Sequence, residues 1–145
     1  MSGEAGDDQR RAERSAAAMW DTDAASKALG MCLEDVAPGE SRVSMLVRDD
    51  MVNGHDLCHG GLIAALADSA FAVACNTDGV VTVAAGFDIT FLESARLGDQ
   101  LVAEAHERAQ RGRSGVYDVT VRRATDRTTI AEFRGRSRSL GRTLG

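Results

Sequence analysis

The chain has 145 residues and a formal net charge of -5, and 43% of its residues are hydrophobic. This length suits one domain with a sizeable core, and the acidic balance argues against a nucleic-acid partner. Because no apolar run of about 18 residues is free of charge, we also expect no membrane partner. The three cysteines are an odd number without CxxC spacing, which fits reduced thiols in the cytoplasm.

The N-terminal part is polar and then helical in its pattern. Residues 1–15 are predicted to form a disordered tail and residues 16–140 the folded domain. Residues 9–19 nevertheless have the pattern of a charged helix, and Asp21 or Thr22 is predicted to cap a second, short helix.

The rest of the chain is predicted to form one long helix placed between strands. Residues 61–76 are almost wholly apolar at helical spacing, and small residues, Ala64, Ala65, Ala72 and Cys75, share the face of Asp68. We expect these small residues to let a sheet close tightly around the helix. Strands that follow strands imply an antiparallel, meander-like sheet and an α+β fold. Strands are predicted at residues 31–37, 41–47, 80–92, 101–109, 116–121 and 129–137.

Asp68 is the most informative residue, because it is a carboxylate in the middle of this apolar helix. No Lys or Arg lies between Arg48 and Arg96 to pair with it. A buried carboxylate without a partner costs on the order of several kcal/mol or is neutralised by a raised pKa, so its presence indicates a functional site. A polar, glycine-rich loop at residues 53–61 leads into the helix, whose first N–H groups are free to stabilise an oxyanion. Together they predict a hydrolytic site.

The residues around Asp68 resemble those of the hot-dog fold acyl-CoA thioesterases of the phenylacetate-pathway (PaaI-type) family. The resemblance rests on Asn-Gly-His-Asp-Leu-Cys-His-Gly-Gly from Asn53 and Leu-Ala-Asp-Ser-Ala-Phe-Ala from Leu66, and it extends from about Trp20 to Leu140. It implies a single-domain hot-dog fold, in which a curved antiparallel sheet wraps a long central helix. It also implies hydrolysis of acyl-CoA thioesters, with phenylacetyl-CoA or hydroxyphenylacetyl-CoA favoured, by a homotetramer (a dimer of dimers) that needs no metal or other cofactor.

The resemblance assigns roles to four residues. Asp68 matches the catalytic carboxylate, which acts as general base or nucleophile. Gly60 matches the glycine whose backbone N–H polarises the thioester carbonyl. His59 matches the motif histidine, and Asn53 matches a polar loop residue that helps to hold the water or the carbonyl.

Two positions depart from the family pattern. Ser94 stands where many relatives have proline, which is expected to alter the shape of the loop. Ala84, Ala85 and Gly86 occupy the stretch of the long strand where some relatives carry a serine, so a polar helper is expected to be absent there.

A basic turn between two predicted strands is the candidate for holding the coenzyme A phosphates. Arginine side chains bind phosphate oxygens through paired N–H groups. The alternative is a solvated hairpin tip. The residues expected to bind substrate or coenzyme A are Gly61 at the helix start and the turn residues Arg111, Gly112, Arg113 and Ser114.

One helix cannot bring both catalytic groups to the same thioester. Gly60 and Asp68 are eight positions apart, roughly 12 Å along a straight helix. Both have to lie about 3 Å from the reacting atoms. The active site is therefore predicted to combine Gly60 of one subunit with Asp68 of another.

Two other functions stay open on the sequence alone. One is a hot-dog dehydratase or hydratase, whose chemistry uses a paired His and Glu, whereas the central helix holds Asp and no Glu. The other is a non-catalytic acyl-CoA-binding protein. A metal site is not expected, because Cys58 and His59 lack a second Cys/His pair at zinc-ligand spacing.

Overall fold

The computed structural model describes residues 2–144, and within them the chain forms three α-helices, one 3-10 turn and six strands. No helix in this part of the chain is both long and apolar enough to cross a membrane. The elements are α1 (Ser2–Asp21), α2 (Ala24–Ala28), β1 (Cys32–Ala37), β2 (Glu40–Leu46), the 3-10 turn Asp49–Met51, α3 (Gly60–Ala74), β3 (Val80–Phe91), β4 (Gln100–Arg111), β5 (Ser114–Arg123) and β6 (Thr129–Thr143).

The N-terminal helix corrects the prediction of a disordered tail at residues 1–15. Helix α1 already begins at Ser2, while Met1 lies outside the described residues. An ion pair of 2.9 Å between Arg11 and Asp8 links successive turns, and Ala12 is fully buried against the rest of the fold. The burial of a few small residues and ion pairs at i, i+3 spacing therefore stabilise a helix in a segment whose overall composition is polar.

The short helix α2 is capped one or two residues later than predicted. Its N-cap is Asp23, whose carboxylate accepts the backbone N–H of Ser26 at 3.0 Å, rather than Asp21 or Thr22. Asp and Thr are both good N-caps, so residue type alone does not fix the position.

The six strands form one antiparallel sheet in the order β1-β2-β4-β5-β6-β3. The predicted meander is correct for β4, β5 and β6 but wrong for β3, which pairs with β6 and not with β4. The connection from β3 to β4 covers residues 92–99, which is longer than the few residues of a hairpin and allows the chain to cross the sheet.

Helix α3 packs its bulky side against the sheet. Phe71 is buried with its ring centroid 5.6 Å from that of Tyr117 and 5.8 Å from that of Phe133. A Cβ on Gly135 would lie 2.8 Å from the Phe71 ring, so only glycine allows this contact. The buried residues of the helix are Ile63, Leu66, Ala67, Ala70, Phe71, Val73 and Ala74.

The small-residue face of α3 is not the face that the sheet covers, contrary to the prediction. Ala64, Ala65, Asp68 and Ala72 are only partly buried. Cys75, at the end of the same face, is buried. The buried side of the helix combines large residues such as Leu66 and Phe71 with three other alanines. The face that carries Asp68 is thus left partly open in a single chain.

The two edges of the sheet differ. Helix α1 lies along β1, where the Gln9 side chain donates a hydrogen bond of 2.9 Å to the carbonyl of Val36. The opposite edge is the twelve-residue strand β3, and its side chains Val83, Phe87 and Phe91 are exposed. A long apolar edge strand is a template for pairing with another strand.

Candidate active site

The loop before α3 is shaped by Asn53. Its side-chain oxygen accepts the backbone N–H groups of His55 at 2.9 Å and Leu57 at 3.2 Å. Asp56 has a φ of 60°, a left-handed conformation that Asp tolerates better than most residues. Because the oxygen is engaged, the amide nitrogen of Asn53 is the atom left to donate to a substrate or water.

The end of this loop is fixed by backbone hydrogen bonds. The N–H of His59 donates to the carbonyl of Met51 at 2.9 Å, and the N–H of Cys58 donates to that of Ala95 at 2.8 Å. The side chain of His59 is exposed and forms no capping bond. Its backbone therefore organises the start of α3, while the role expected for its imidazole stays a prediction.

The first turn of α3 offers free N–H groups. Leu62 and Ile63 donate to the carbonyl of His59, at 3.0 and 3.3 Å. Among the described residues, the N–H groups of Gly60 and Gly61 have no acceptor. Such groups carry the positive end of the helix dipole and are suited to an oxyanion.

The ring of Phe91 lies directly over Gly60. A Cβ at position 60 would be 2.9 Å from the Cζ atom of this ring, closer than real Cβ contacts. Glycine is therefore required for the ring to approach the helix start. Leu57, Leu92 and Asn53 share with these two residues an open groove of about 390 Å³.

Asp68 lies in the middle of α3 and is partly buried. Burial raises the pKa of its carboxyl group, and the negative charge of Asp23 raises this pKa further. No Lys or Arg forms an ion pair with Asp68 within residues 2–144. The raised pKa expected from the sequence is thus found, and it makes the carboxylate a better base.

The structure does not bring all the predicted residues together in one chain. The groove at Gly60 does not include Asp68, which is further along the same helix. The turn of Arg111, Gly112, Arg113 and Ser114 joins β4 to β5 at the other end of the sheet. Ser114 pairs with Arg138, which in turn pairs with Val83 near the start of β3, whereas Phe91 is the last residue of β3.

A larger groove, of about 510 Å³, lies elsewhere, between α1 and the outward side of β1, β2 and β4. Polar side chains line it, among them Glu40, Arg42 and His106. It contains none of the predicted site residues and no free helix N-terminus, so the smaller groove at Gly60 is the better candidate.

The cysteine beside the motif is a buried thiol. Cys58 is 8% exposed, and burial raises its pKa, so it is a poor nucleophile at neutral pH. The described part of the chain contains no group of three or more His, Cys, Asp or Glu residues that could hold a metal ion.

Two features of the site were missed from the sequence. The contact of Phe91 with Gly60 joins residues far apart in sequence. The only sequence feature that could have indicated this close approach is the glycine at the start of the helix. The charge of Asp23 near Asp68 also had no signal in the sequence, because the two residues are 45 positions apart and belong to different helices. Ser94 stands where many relatives have proline. Its N–H donates to the Glu93 side chain at 2.9 Å, a bond that proline cannot form.

Comparison with known proteins identifies the family of the chain. Residues 55–130, more than half of the chain, match the sequence model of the thioesterase superfamily. The acyl-coenzyme A thioesterase PaaI of Escherichia coli K12 is 42% identical over 134 residues, which are 92% of this chain and 95% of that protein.

Solved structures show the same fold. The Escherichia coli PaaI protein from the phenylacetic acid degradation operon superposes with a TM-score of 0.91 at 41% identity, over 94% of this chain and 99% of that one. A point mutant of the phenylacetic acid degradation protein PaaI from Thermus thermophilus gives a TM-score of 0.75 at 36% identity, over 79% of this chain and 97% of that one. The chain therefore has the hot-dog fold and belongs to the thioesterase superfamily, among the PaaI-type acyl-CoA thioesterases.

Proposed function

We propose that the chain hydrolyses arylacetyl-coenzyme A thioesters, with phenylacetyl-CoA or hydroxyphenylacetyl-CoA as substrate, to the free acid and coenzyme A. The observation that carries the proposal is the free N–H of Gly60 beneath the ring of Phe91, in a groove lined by both apolar and polar residues. The N–H is suited to polarise a carbonyl, and the ring is suited to stack on an aryl group. The relative from the phenylacetic acid degradation operon supports the same acyl class and a place in phenylacetate catabolism.

In the proposed reaction the Gly60 N–H donates to the thioester oxygen as it becomes an oxyanion. Asp68 acts in one of two ways. As general base it takes a proton from water, whose oxygen attacks the carbonyl carbon, and the C–S bond then breaks to release the coenzyme A thiolate. As nucleophile it attacks the carbon itself, the C–S bond breaks to release the coenzyme A thiolate, and water hydrolyses the resulting mixed anhydride to the free acid and regenerates Asp68. Asn53 is proposed to hold the water or the carbonyl through its amide nitrogen, and His59 is proposed to orient the loop.

The site is proposed to be shared between two subunits. Gly60 begins α3 and Asp68 lies two turns later, roughly 12 Å away along the helix. The partly open face around Asp68 and the exposed edge of β3 are surfaces that a second copy would cover. A two-fold axis would place Gly60 of each chain opposite Asp68 of the other, and two such dimers would form the proposed tetramer.

The same symmetry brings the basic turn to the groove. If two β3 strands pair antiparallel across a two-fold axis, the start of one lies beside the end of the other. Arg111 and Arg113, near the start of β3, would then approach the Phe91 end of the partner strand. There the two guanidinium groups, with Gly112 and Ser114, are proposed to bind the coenzyme A phosphates, while Gly61 contacts the thioester end. A cytoplasmic location suits the free thiols Cys32, Cys58 and Cys75.

A panel of acyl-CoA substrates tests the proposal. Released thiol is measured for phenylacetyl-, hydroxyphenylacetyl-, hexanoyl- and acetyl-CoA, and the values of kcat/KM are compared. We expect the arylacetyl substrates to exceed the others by about tenfold or more, since an aryl group buries more surface in the groove. The Asp68→Asn variant, which keeps the shape but loses the charge, is expected to lose on the order of 100-fold or more in kcat.

Two results would contradict the proposal. A preference for hexanoyl-CoA over both aryl substrates would exclude the arylacetyl class. An Asp68→Asn protein that binds phenylacetyl-CoA and turns it over at the wild-type rate would remove Asp68 from the mechanism.

A further inference from the structure

A partly buried chain of hydrogen bonds links α2 to α3 at Ser69, the residue after Asp68. The hydroxyl oxygens of Ser26 and Ser69 are 2.7 Å apart. The Ser26 hydroxyl also lies 2.6 Å from a carboxylate oxygen of Asp23, the N-cap of α2. Ser26 is 3% exposed, so water does not compete freely for these bonds.

The directions of these hydrogen bonds follow from the chemistry of the groups. An ionised carboxylate accepts hydrogen bonds and cannot donate, so Ser26 donates its single hydroxyl proton to Asp23. The Ser26 oxygen then has only acceptor sites left, and Ser69 has to donate to it. The charge of Asp23 therefore orders both hydroxyl groups and fixes α3 next to Asp68.

We propose that Asp23 is a positioning residue for Asp68, acting through Ser26 and Ser69 and through its own negative charge. This inference rests on the proposed role of Asp68 in thioester hydrolysis. It extends that role to a helix cap outside the motif that carries the family resemblance.

The electrostatics at Asp68 agree with this geometry. Burial is the larger cause of its raised pKa, and the charge of Asp23 is the second. Cys75, the C-cap of the same helix, is a neutral thiol near Asp68, and burial raises its pKa to about 12. Neither Asp23 nor Asp68 forms an ion pair with a Lys or Arg in residues 2–144, so no paired cation offsets the repulsion.

The first test removes the charge and keeps the cap. Asn and Ser are both good N-caps, so Asp23→Asn and Asp23→Ser should keep α2 folded. Without the second negative charge the pKa of Asp68 falls. Because Asp68 acts ionised, the acid limb of kcat against pH should move to lower pH, while the plateau drops about three- to tenfold because the base is weaker.

The matched control is Asp21→Asn, which removes the same charge from the exposed end of α1. Its pH profile should coincide with that of the wild type. Thermal melts and circular dichroism at one protein concentration verify that all variants are folded.

The second test breaks the chain of hydrogen bonds and keeps the charge. Ser26→Ala leaves Asp23 ionised but removes its link to Ser69. The plateau kcat should fall about three- to tenfold with the KM nearly unchanged and the acid limb in place, since only positioning is lost.

Distinct results overturn the inference and the function on which it rests. If both Asp23 variants reproduce the wild-type pH profile, Asp23 is only a helix cap. A wild-type kcat in Ser26→Ala would remove the hydrogen-bonded chain from the proposal. If instead Asp68→Asn retains wild-type turnover, the proposed function itself fails, whatever the Asp23 variants do.

Discussion

A carboxylate on an apolar helix has opposite consequences for stability and for chemistry. Asp68 is held in surroundings that disfavour its charged form, as its raised pKa shows. Ionising such a group costs stability, while the same cost makes the carboxylate a stronger base. Asp68 is thus a residue whose contribution to folding is expected to be unfavourable at neutral pH.

This conflict gives a stability prediction for Asp68→Asn. The pKa of Asp68 in the folded state is raised above its unfolded value, so the folded state holds the proton longer as pH rises. The cost of ionising Asp68 therefore develops as the pH rises above the unfolded-state pKa and is complete above the folded-state pKa. We expect Asp68→Asn to melt at a higher Tm than the wild type at pH 8, and the difference to vanish as the pH falls towards about 4, near the unfolded pKa.

Melts of both proteins from pH 4 to pH 8, at one protein concentration, provide the measurement. Asp21→Asn, in an exposed position, is the control and should show no such trend. A variant that is less stable than the wild type at pH 8 would show that Asp68 has a favourable partner in the folded protein.

A methyl group at position 60 should block the site. The Cβ of Gly60→Ala would meet the ring of Phe91 at 2.9 Å, so the ring has to leave its place. We expect kcat/KM to fall about 10- to 100-fold. The Gly60 N–H and the Phe91 ring, which are proposed to contact the thioester oxygen and the aryl group, would no longer be aligned with each other. Gly54→Ala, where an added Cβ meets nothing within 4 Å, is the matched control.

A double variant separates the steric cause from others. Phe91→Leu removes the ring, and in that background Gly60→Ala should cost clearly less than in the wild type. If the cost of Gly60→Ala is the same in both backgrounds, contact with Phe91 is not the reason for the glycine.

At the scale of elements, Arg123 fixes the β3–β4 loop (residues 92–99), which forms one wall of the groove. Its guanidinium group is 17% exposed and bonds Asp99 at 3.0 Å, Asp126 at 2.9 Å and the carbonyl of Ser94 at 3.0 Å. The next residue, Ala95, accepts the N–H of Cys58 at the end of the motif loop. One side chain thus joins the β5–β6 turn to the wall of the groove.

Arg123→Lys should loosen this connection. Lysine keeps the charge but lacks the planar fork, so it cannot make all three bonds. We expect the free energy of unfolding to fall by about 1–3 kcal/mol, as for lost charged hydrogen bonds. Urea titrations measure this, with Arg127→Lys as control, since the exposed pair of Arg127 with Glu104 should change stability by less than about 1 kcal/mol. Equal effects of the two variants would contradict the role assigned to Arg123.

Local patterns in the sequence predicted most of the elements but not all of their neighbours. The helix around Asp68 and all six strands were predicted, because periodicity and turn residues are local signals. The place of β3 beside β6 was not, since strand order depends on contacts across the whole sheet. The prediction of a disordered tail was wrong because α1 packs against β1 and α3, and composition does not reveal this packing.

The candidate site was likewise predicted only in part. The residues of the motif were identified by type and by resemblance, and the free N–H of Gly60 follows from its place at the helix start. The Phe91 ring above it and the charge of Asp23 come from segments distant in sequence, so only the fold shows them.

At the scale of the whole molecule, a single chain is an incomplete enzyme in this account. Three observations support the proposed second copy: the exposed edge of β3, the partly open face around Asp68 and the distance from Gly60 to Asp68 along α3. A two-fold interface supplies the same pair of contacts twice, so each dimer would contain two sites, each made from both chains.

Subunit complementation tests this central claim. Asp68→Asn and Gly60→Pro each remove one half of the site. Proline fits the backbone of a first helical turn but lacks the N–H that the oxyanion needs, and its Cβ also displaces the Phe91 ring. Each inactive protein is unfolded and refolded alone as a control, and the two are then refolded as an equal mixture. Mass spectrometry identifies the mixed oligomers.

A mixed dimer has one site that carries both lesions and one that carries neither. With random pairing we therefore predict that the mixture regains about a quarter of the wild-type activity, while each variant alone stays inactive. Mixed oligomers that form in the expected proportion and remain inactive would contradict the account, because each chain would then build its active site from its own Gly60 and Asp68.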